Sequence, residues 1–312
     1  MRKPDIIMKL RFSSYWNNVW VEYLTKYFTS KGYDMKFNIA SHLNLGFISD
    51  ADVAVMCWAD QPTIELSKLP LKYCKKYVVF VRSYEIFFGH IKNIRWSYID
   101  DVIFVNQGFC NEFKKNDLPK TLKVHYLPNA IDLDKWQLQE HQKSFNVAMV
   151  CGLSHKKGLD LIPQFLYKLV KKDKRYILHI AGGHQEERHI VYMMNLIYRM
   201  GLLDHIRLYG HVDDVKEWLK DKDYLFTCSV TEGHPNNVIE AMSLGIKPIV
   251  HNWIGAEFQH PPELIWKDID RAVELVTEDN YNSMSYRNFI KDNYDMWKVY
   301  SQLEDILLEK GG

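Results

Sequence analysis

Short apolar runs alternate with longer amphipathic stretches along the whole chain. Runs at 6–10, 35–40, 52–58, 77–82, 101–106 and 125–127 predict six strands in the first half. Between the first two, Val19, Trp20, Tyr23, Leu24, Tyr27 and Phe28 recur at helical spacing, and Gly32 ends that helix. A second helix is predicted over 109–115. The runs lack strict alternation, which marks strands buried on both faces, hence parallel sheets with helical crossovers. The alternation then restarts. Strands are predicted at 145–151, 176–181, 206–209, 224–229 and 246–251. Helices are predicted at 159–171, 189–200, 212–220, 236–244 and 268–275, with one or two closing helices over 286–309. Repeated strand–helix units mean α/β architecture, and two rounds imply two doubly wound domains. The polar stretch 136–144 is the expected join. The expected division is 1–140, 141–285 and a closing segment 286–312.

Composition narrows the class. Of 312 residues, 47% are hydrophobic and 25% charged, which excludes a disordered chain. Forty Lys and Arg face 39 Asp and Glu, so nucleic acid is not an expected partner. Residues 1–140 hold 19 basic and 15 acidic residues against 21 and 24 in the remainder, a modest bias that either favours an anionic acceptor or membrane surface or is an ordinary solvated surface, since so small a shift gives little steering. The cysteines at 57, 74, 110, 151 and 228 never form a CxxC pair and read as free thiols of a reducing compartment. No run reaches 18 apolar residues, and the first residues lack a secretory pattern. The expected location is the cytoplasm, with peripheral contact at the inner membrane face allowed by the aromatic content and short basic patches.

The chemistry concentrates after the strand ending at Ser229. Gly233 lends the following loop backbone freedom, Pro235 stands where a helix begins, and Gly245 closes that helix. Amide groups near Asn236 and Asn237 then point out of a helix N-terminus, a natural anion site. It lies at the carboxyl end of a strand, where open α/β sheets bind ligands. Glu232 lies in the loop. Glu240, four residues after Asn236, shares its helical face. A carboxylate beside a phosphate site suits a sugar diol, because it accepts from two hydroxyls.

This segment resembles the Glu-x7-Glu motif of retaining GT-B glycosyltransferases of family 4. Glu232 and Glu240 fit the two glutamates, and Ala241-Met242, Gly245 and Pro248 fit the pattern that follows. Leu127 to Asp132, Val150 to Gly158 and Leu208 to Val212 resemble further stretches of the family in order and spacing, so matches run from about residue 125 to 257. The resemblance implies GT-B: two Rossmann-like domains facing across a cleft, with the C-terminal helix returning to the N-terminal domain. It implies a nucleotide-diphosphate sugar donor, with Glu240 on the ribose and Glu232 by the transferred sugar. Gly233, His234, Asn236 and Asn237 would hold sugar and phosphate. Lys157 would neutralise the leaving diphosphate, and Val212 and Gly152 would adjoin the donor. The expected reaction retains the anomeric configuration and needs no metal and no cofactor. The expected acceptor is a hydroxyl of a glycan or lipid-linked saccharide.

The chain also departs from the family. Gly152 stands where an arginine is usual; His155, Lys156 and Arg11 are candidates to replace it. The glycine pair after the first strand is absent, the loop reading Arg11 to Asn18, with Ser13 and Ser14 as candidate cleft residues. The usual histidine after the fourth strand is also absent. Arg82 and Glu85 stand there, either binding acceptor or donor or forming a local ion pair. Trp253 and Trp266 either stack on sugar or pack beneath their loop. These departures leave a second expectation, a degenerate binder of nucleotide sugar or glycan without transfer. A nicotinamide oxidoreductase is disfavoured because no GxGxxG follows the first strand.

Overall fold

The computed structural model describes residues 8–14, 19–139, 141 and 143–308. The parts of the expected elements that fall on 1–7, 15–18 and 309–312 lie outside them. One compact unit comprises Met1–Asp132 with Tyr294–Gly312, the other Leu133–Asn293.

In the first unit the strands are β1 (Lys9–Ser14), β2 (Asp34–Ile39), β3 (Val53–Met56), β4 (Lys76–Val81), β5 (Asp101–Phe104) and β6 (Lys123–Tyr126). They form one parallel sheet ordered β2-β1-β3-β4-β5-β6. The strand expected at 6–10 is β1 instead and runs on to Ser14, because Arg11 and Ser14 are buried with partners. The Arg11 guanidinium, 1% exposed, pairs with Asp34 at 2.9 Å and Asp50 at 2.6 Å. Ser13 and Ser14 are therefore the buried carboxyl end of a strand, not loop residues.

The chain returns to this unit through Met296–Leu308. Ile131 N–H donates to Tyr294 O at 2.9 Å, and Met296 N–H donates back to Ile131 O at 3.0 Å. Met296, Val299, Tyr300, Leu303 and Leu307 then pack among Leu10, Phe12, Tyr27 and Phe28. Tyr27 and Tyr33 each donate to Glu304 at 2.6 Å. At the amino ends of the central strands, buried Lys76 and Asp101 pair at 2.9 Å, and His125 reaches Asp101 at 2.6 Å. Lys76 also donates to Ile306 O, tying the returning helix to the sheet.

The second unit holds β7 (Asn146–Val150), β8 (Ile177–Ala181), β9 (Ile206–Gly210), β10 (Tyr224–Phe226), β11 (Lys247–His251) and β12 (Ile265–Trp266). Its parallel sheet is ordered β12-β11-β10-β7-β8-β9. Phe226 stacks on Phe165 at 3.9 Å and on Trp266 at 5.7 Å, so aromatic packing welds helix Leu161–Lys172 to the sheet. Residues 133–139 and helix Ser283–Tyr294 as far as Asn293 belong here. Arg287 donates to carbonyls of Leu133, Trp136 and Ser243, and Gln139 N–H donates to Leu244 O at 3.0 Å.

Candidate functional site

The chain leaves β7 toward β8 and β9 on one side, then crosses back to β10 on the other side of β7. The loops after β7 and β10 therefore diverge at their carboxyl ends and leave a crevice at the switch point. These two loops carry Lys157 and Glu232.

The loop after β7 ends in a short turn, His155–Lys157, closed by Gly158 at φ 62°. A Cβ at Gly158 would stand 2.1 Å from Cys228 O, so only glycine fits. Val230 N–H donates to Lys156 O at 2.8 Å, and the Cys228 thiol to Lys157 O at 3.1 Å. The two loops are thus stitched together, and Lys157 forms an ion pair with Glu232. Both side chains are mostly buried, 14% and 13% exposed. Burial lowers the Lys157 proton affinity, but Glu232 more than offsets it and leaves the ammonium above its ordinary pKa.

Helix Asn236–Leu244 begins after Pro235 and ends at Gly245, φ 92°, whose N–H donates back to the last turn. Asn237 Nδ2 donates to Val150 O at 2.7 Å, fastening the helix start to the end of β7. The amides of Gly233 and Asn237 have no partner among the described residues. Gly233 O is held by Gln259 Nε2 at 2.6 Å, and Gln259 in turn accepts from Trp253 Nε1 at 3.1 Å. Glu240 is half-buried on this helix, with no hydrogen-bond or ion-pair partner among the described residues. Burial raises its carboxyl to about 7, with the charge of Lys135 opposing.

A cavity of about 300 Å³ opens beside these groups at the carboxyl ends of β7, β8 and β9. Val150, Cys151, Gly152, Gly182, Gln185 and Val212 are among its lining. Gly182, at φ 147°, lets its N–H donate to Gly210 O at 2.6 Å, and a Cβ there would strike Cys151 O. Cys151 joins the cavity to the ion pair. Its thiol, raised to about 11 by burial, feels the charges of both Lys157 and Glu232.

The structure brings Lys157, Glu232, Gly233, Asn237, Gly152 and Val212 to one end of this sheet. Asn236 opens the helix and is exposed. His234 is 5% exposed, and burial, then the neighbouring His260, push its pKa well below the usual histidine value. It is a neutral ring beneath the loop. Gln185 is a cavity residue that the sequence pattern does not reveal. Its amide lies where any side chain at position 152 would extend, 2.3 Å from a Cβ built there. No motif spacing signals that contact, because it depends on how the loops after β7 and β8 pack.

Of the candidate replacement cations, Arg11 lies in the first unit and is committed to Asp34 and Asp50. His155 bonds Glu186 at 2.7 Å. Lys156 has no ion pair among the described residues; burial and Lys157 lower its proton affinity. Trp253 and Trp266 are 2% and 1% exposed; Trp253 packs against His260 under its loop and Trp266 lies in β12 on Phe226, so neither offers a stacking face.

In the first unit, Ser14 Oγ accepts from Trp58 Nε1 at 3.2 Å. Arg82 and Glu85 form no side-chain ion pair. The Glu85 carboxylate accepts instead from the amides of Ala59 at 3.3 Å and Arg82 at 3.2 Å. It is fully buried, and burial raises it to about 7.

Residues 130–258 match the family model described as Glycosyl transferases group 1, less than half of the chain. The chain is similar to the O-antigen biosynthesis glycosyltransferase WclY of Escherichia coli, 26% identical over 168 residues. That alignment spans 50% of this chain and 44% of WclY, so less than half of the relative's length is matched. Among solved structures, HepE of Anabaena in complex with UDP and glucose superposes with a TM-score of 0.77 at 13% identity, covering 96% of this chain and 99% of that one. A mutant of TarM from S. aureus, in complex with fondaparinux, alpha-GlcNAc-glycerol and UDP, gives 0.69 at 16% identity, covering 84% and 56%. At these identities the likeness shows the fold, and the two six-stranded parallel sheets with flanking helices are those of GT-B structures.

Proposed function

We propose that this protein is a retaining glycosyltransferase that moves a sugar from a nucleotide-diphosphate donor to a hydroxyl of a glycan or lipid-linked saccharide. The observation that carries the reading is the meeting of Lys157, Glu232 and the open amides of Gly233 and Asn237 at the switch point of the second sheet, beside a cavity of about 300 Å³. The family match over 130–258 and the UDP held by HepE support it.

In this reading Glu240 accepts from the ribose hydroxyls; its half-buried carboxylate, unpartnered among the described residues, suits a diol. The base enters the cavity beside Val212 and Gly152. The amides of Gly233 and Asn237, with Asn236 beside them, hold sugar and phosphate oxygens, and His234 supports the loop from beneath. Lys157 faces the diphosphate, and Lys156 supplies the second cation that an arginine at 152 would otherwise provide. Glu232 stands by the transferred sugar, stabilising the positive charge that develops at the anomeric carbon. The acceptor oxygen bonds to that carbon on the face the diphosphate leaves. The carbon–oxygen bond to phosphate breaks, and the hydroxyl proton passes to the departing phosphate oxygen. No metal and no cofactor enters this scheme. In this reading the work is cytoplasmic, with peripheral contact at the inner membrane face.

The test is a pair of variants. Glu240→Ala should weaken donor binding, while Glu232→Ala should mainly lower turnover. Wild-type transfer rates in both variants would overturn the site assignment.

A further inference from the structure

The Arg82 guanidinium is held between two indoles, 4.8 Å from the Trp20 ring centre and 4.7 Å from that of Trp58. It follows β4 at the carboxyl end of the first sheet. The same end holds Ser14 and Trp58, at the point where β1 and β3 lead away in opposite directions. Its Nη1 donates to Asn129 Oδ1 at 3.1 Å, and its Nε points to Cys57 O at 3.5 Å. Nη2 has no partner among the described residues. No carboxylate pairs with this cation, because Glu85, whose charge it feels, is turned onto backbone amides. Burial depresses the Arg82 pKa and holds Glu85 near 7, so neutral pH leaves a positive charge only partly compensated.

A guanidinium held against two rings, with a free amino edge and no carboxylate in direct contact, is prepared for an oxyanion. We propose that Arg82, with Trp20, Trp58 and Asn129, forms an oxyanion-binding site in the first unit that takes a phosphate or carboxylate group of the acceptor. The acceptor assignment rests on the transferase reading, whereas the anion site stands on its own geometry. A lysine would not serve equally, since its point charge lacks the planar fork.

The full chain with ¹⁵N-labelled tryptophan is titrated with inorganic phosphate, glucuronate and glucose, following the Trp20 and Trp58 indole signals. Those signals are assigned with Trp20→Phe and Trp58→Phe. The expected result is a saturable shift of both with phosphate, glucuronate or each of them, and none with glucose. Response to phosphate alone indicates a phosphorylated acceptor, and response to glucuronate alone a uronate-bearing one. Arg82→Gln should weaken the anion at least tenfold, and Arg82→Lys and Asn129→Ala by a smaller factor that keeps the test open should Arg82→Gln fail to fold. No saturable shift with either anion, or unchanged affinity in these variants, would overturn the proposal. Donor binding by the wild-type chain is read separately. Its absence beside intact anion binding would remove the transferase reading and leave the anion site standing.

Discussion

Glu240 offers a test in which stability and function move in opposite directions. Its carboxyl rises from an ordinary 4.5 to about 7 because burial disfavours the charge and only Lys135 opposes it. A rise of that size corresponds to at most roughly 3 kcal/mol of destabilisation once the group is ionised. The sign follows from proton uptake. Below 4.5 the carboxyl is protonated in folded and unfolded chains alike, and its ionisation costs nothing. As pH climbs from 4.5 through 7, the unfolded chain gives up its proton first, and stability falls until the penalty is complete above 7. Glu240→Gln keeps the shape and removes the charge. At pH 8 the ligand-free variant should therefore be more stable by about 1–3 kcal/mol, a few degrees in melting temperature for a unit of this size. Near pH 4.5 the difference should vanish. The same substitution should weaken a nucleotide-sugar by about 30-fold or more, because two hydrogen bonds to a charged acceptor are replaced by weaker ones. Differential scanning fluorimetry across pH, with calorimetric titration of UDP-glucose, reads both effects. A Glu240→Gln chain that is less stable at pH 8 would mean that the carboxylate serves the fold. Unchanged donor affinity would refute its place on the ribose.

Lys157→Met should lower turnover at least a hundredfold and destabilise the second unit by about 3 kcal/mol, since it takes the ammonium away from the mostly buried Glu232 carboxylate. Adding Glu232→Gln should restore the melting temperature without restoring activity, as steady-state rates beside thermal melts would report. Gly158→Ala should cost about 1–3 kcal/mol in a urea melt, because a side chain meets both positive φ and the Cys228 carbonyl. Asp101→Asn should destabilise the first unit by about 3–5 kcal/mol, having broken the buried pair with Lys76. Asp101 is penalised by burial, but bonds from His125 and Lys76 leave its pKa below the ordinary 3.8. Its stabilisation is therefore present above that value and lost as pH falls through the lower folded value, so the wild-type excess over Asp101→Asn should shrink in acid melts.

Much of the architecture is legible in the chain. Runs such as 77–81 and 102–104 are apolar without alternation because parallel strands are covered on both faces. The helix at 236–244 announces itself through Pro235 and Gly245. Legibility ends where burial is polar. β1 continues through Arg11, Ser13 and Ser14 because Asp34, Asp50 and Trp58 supply partners to Arg11 and Ser14, and no local pattern carries those distant partners. The helix expected at 212–220 is cut to Val215–Trp218, its start set by Asp214, whose side chain accepts from Glu217 N–H at 2.9 Å. Glu232 and Glu240 can be placed on the loop and the helix from the sequence, and the resemblance to the family's motifs adds Lys157. The Gln185 amide over Gly152 and the two indoles around Arg82 are not visible there, because they arise from segments distant in the chain that the sheet order brings together.

The decisive experiment is calorimetric binding of a panel of UDP-, GDP-, ADP- and dTDP-sugars, with and without chelator. One donor should bind selectively, chelator should leave its affinity unchanged, and Glu240→Gln should weaken it. Failure of every donor to bind at millimolar concentration, or equal binding by the variant, would overturn the nucleotide-sugar site built around Lys157, Glu232 and Glu240.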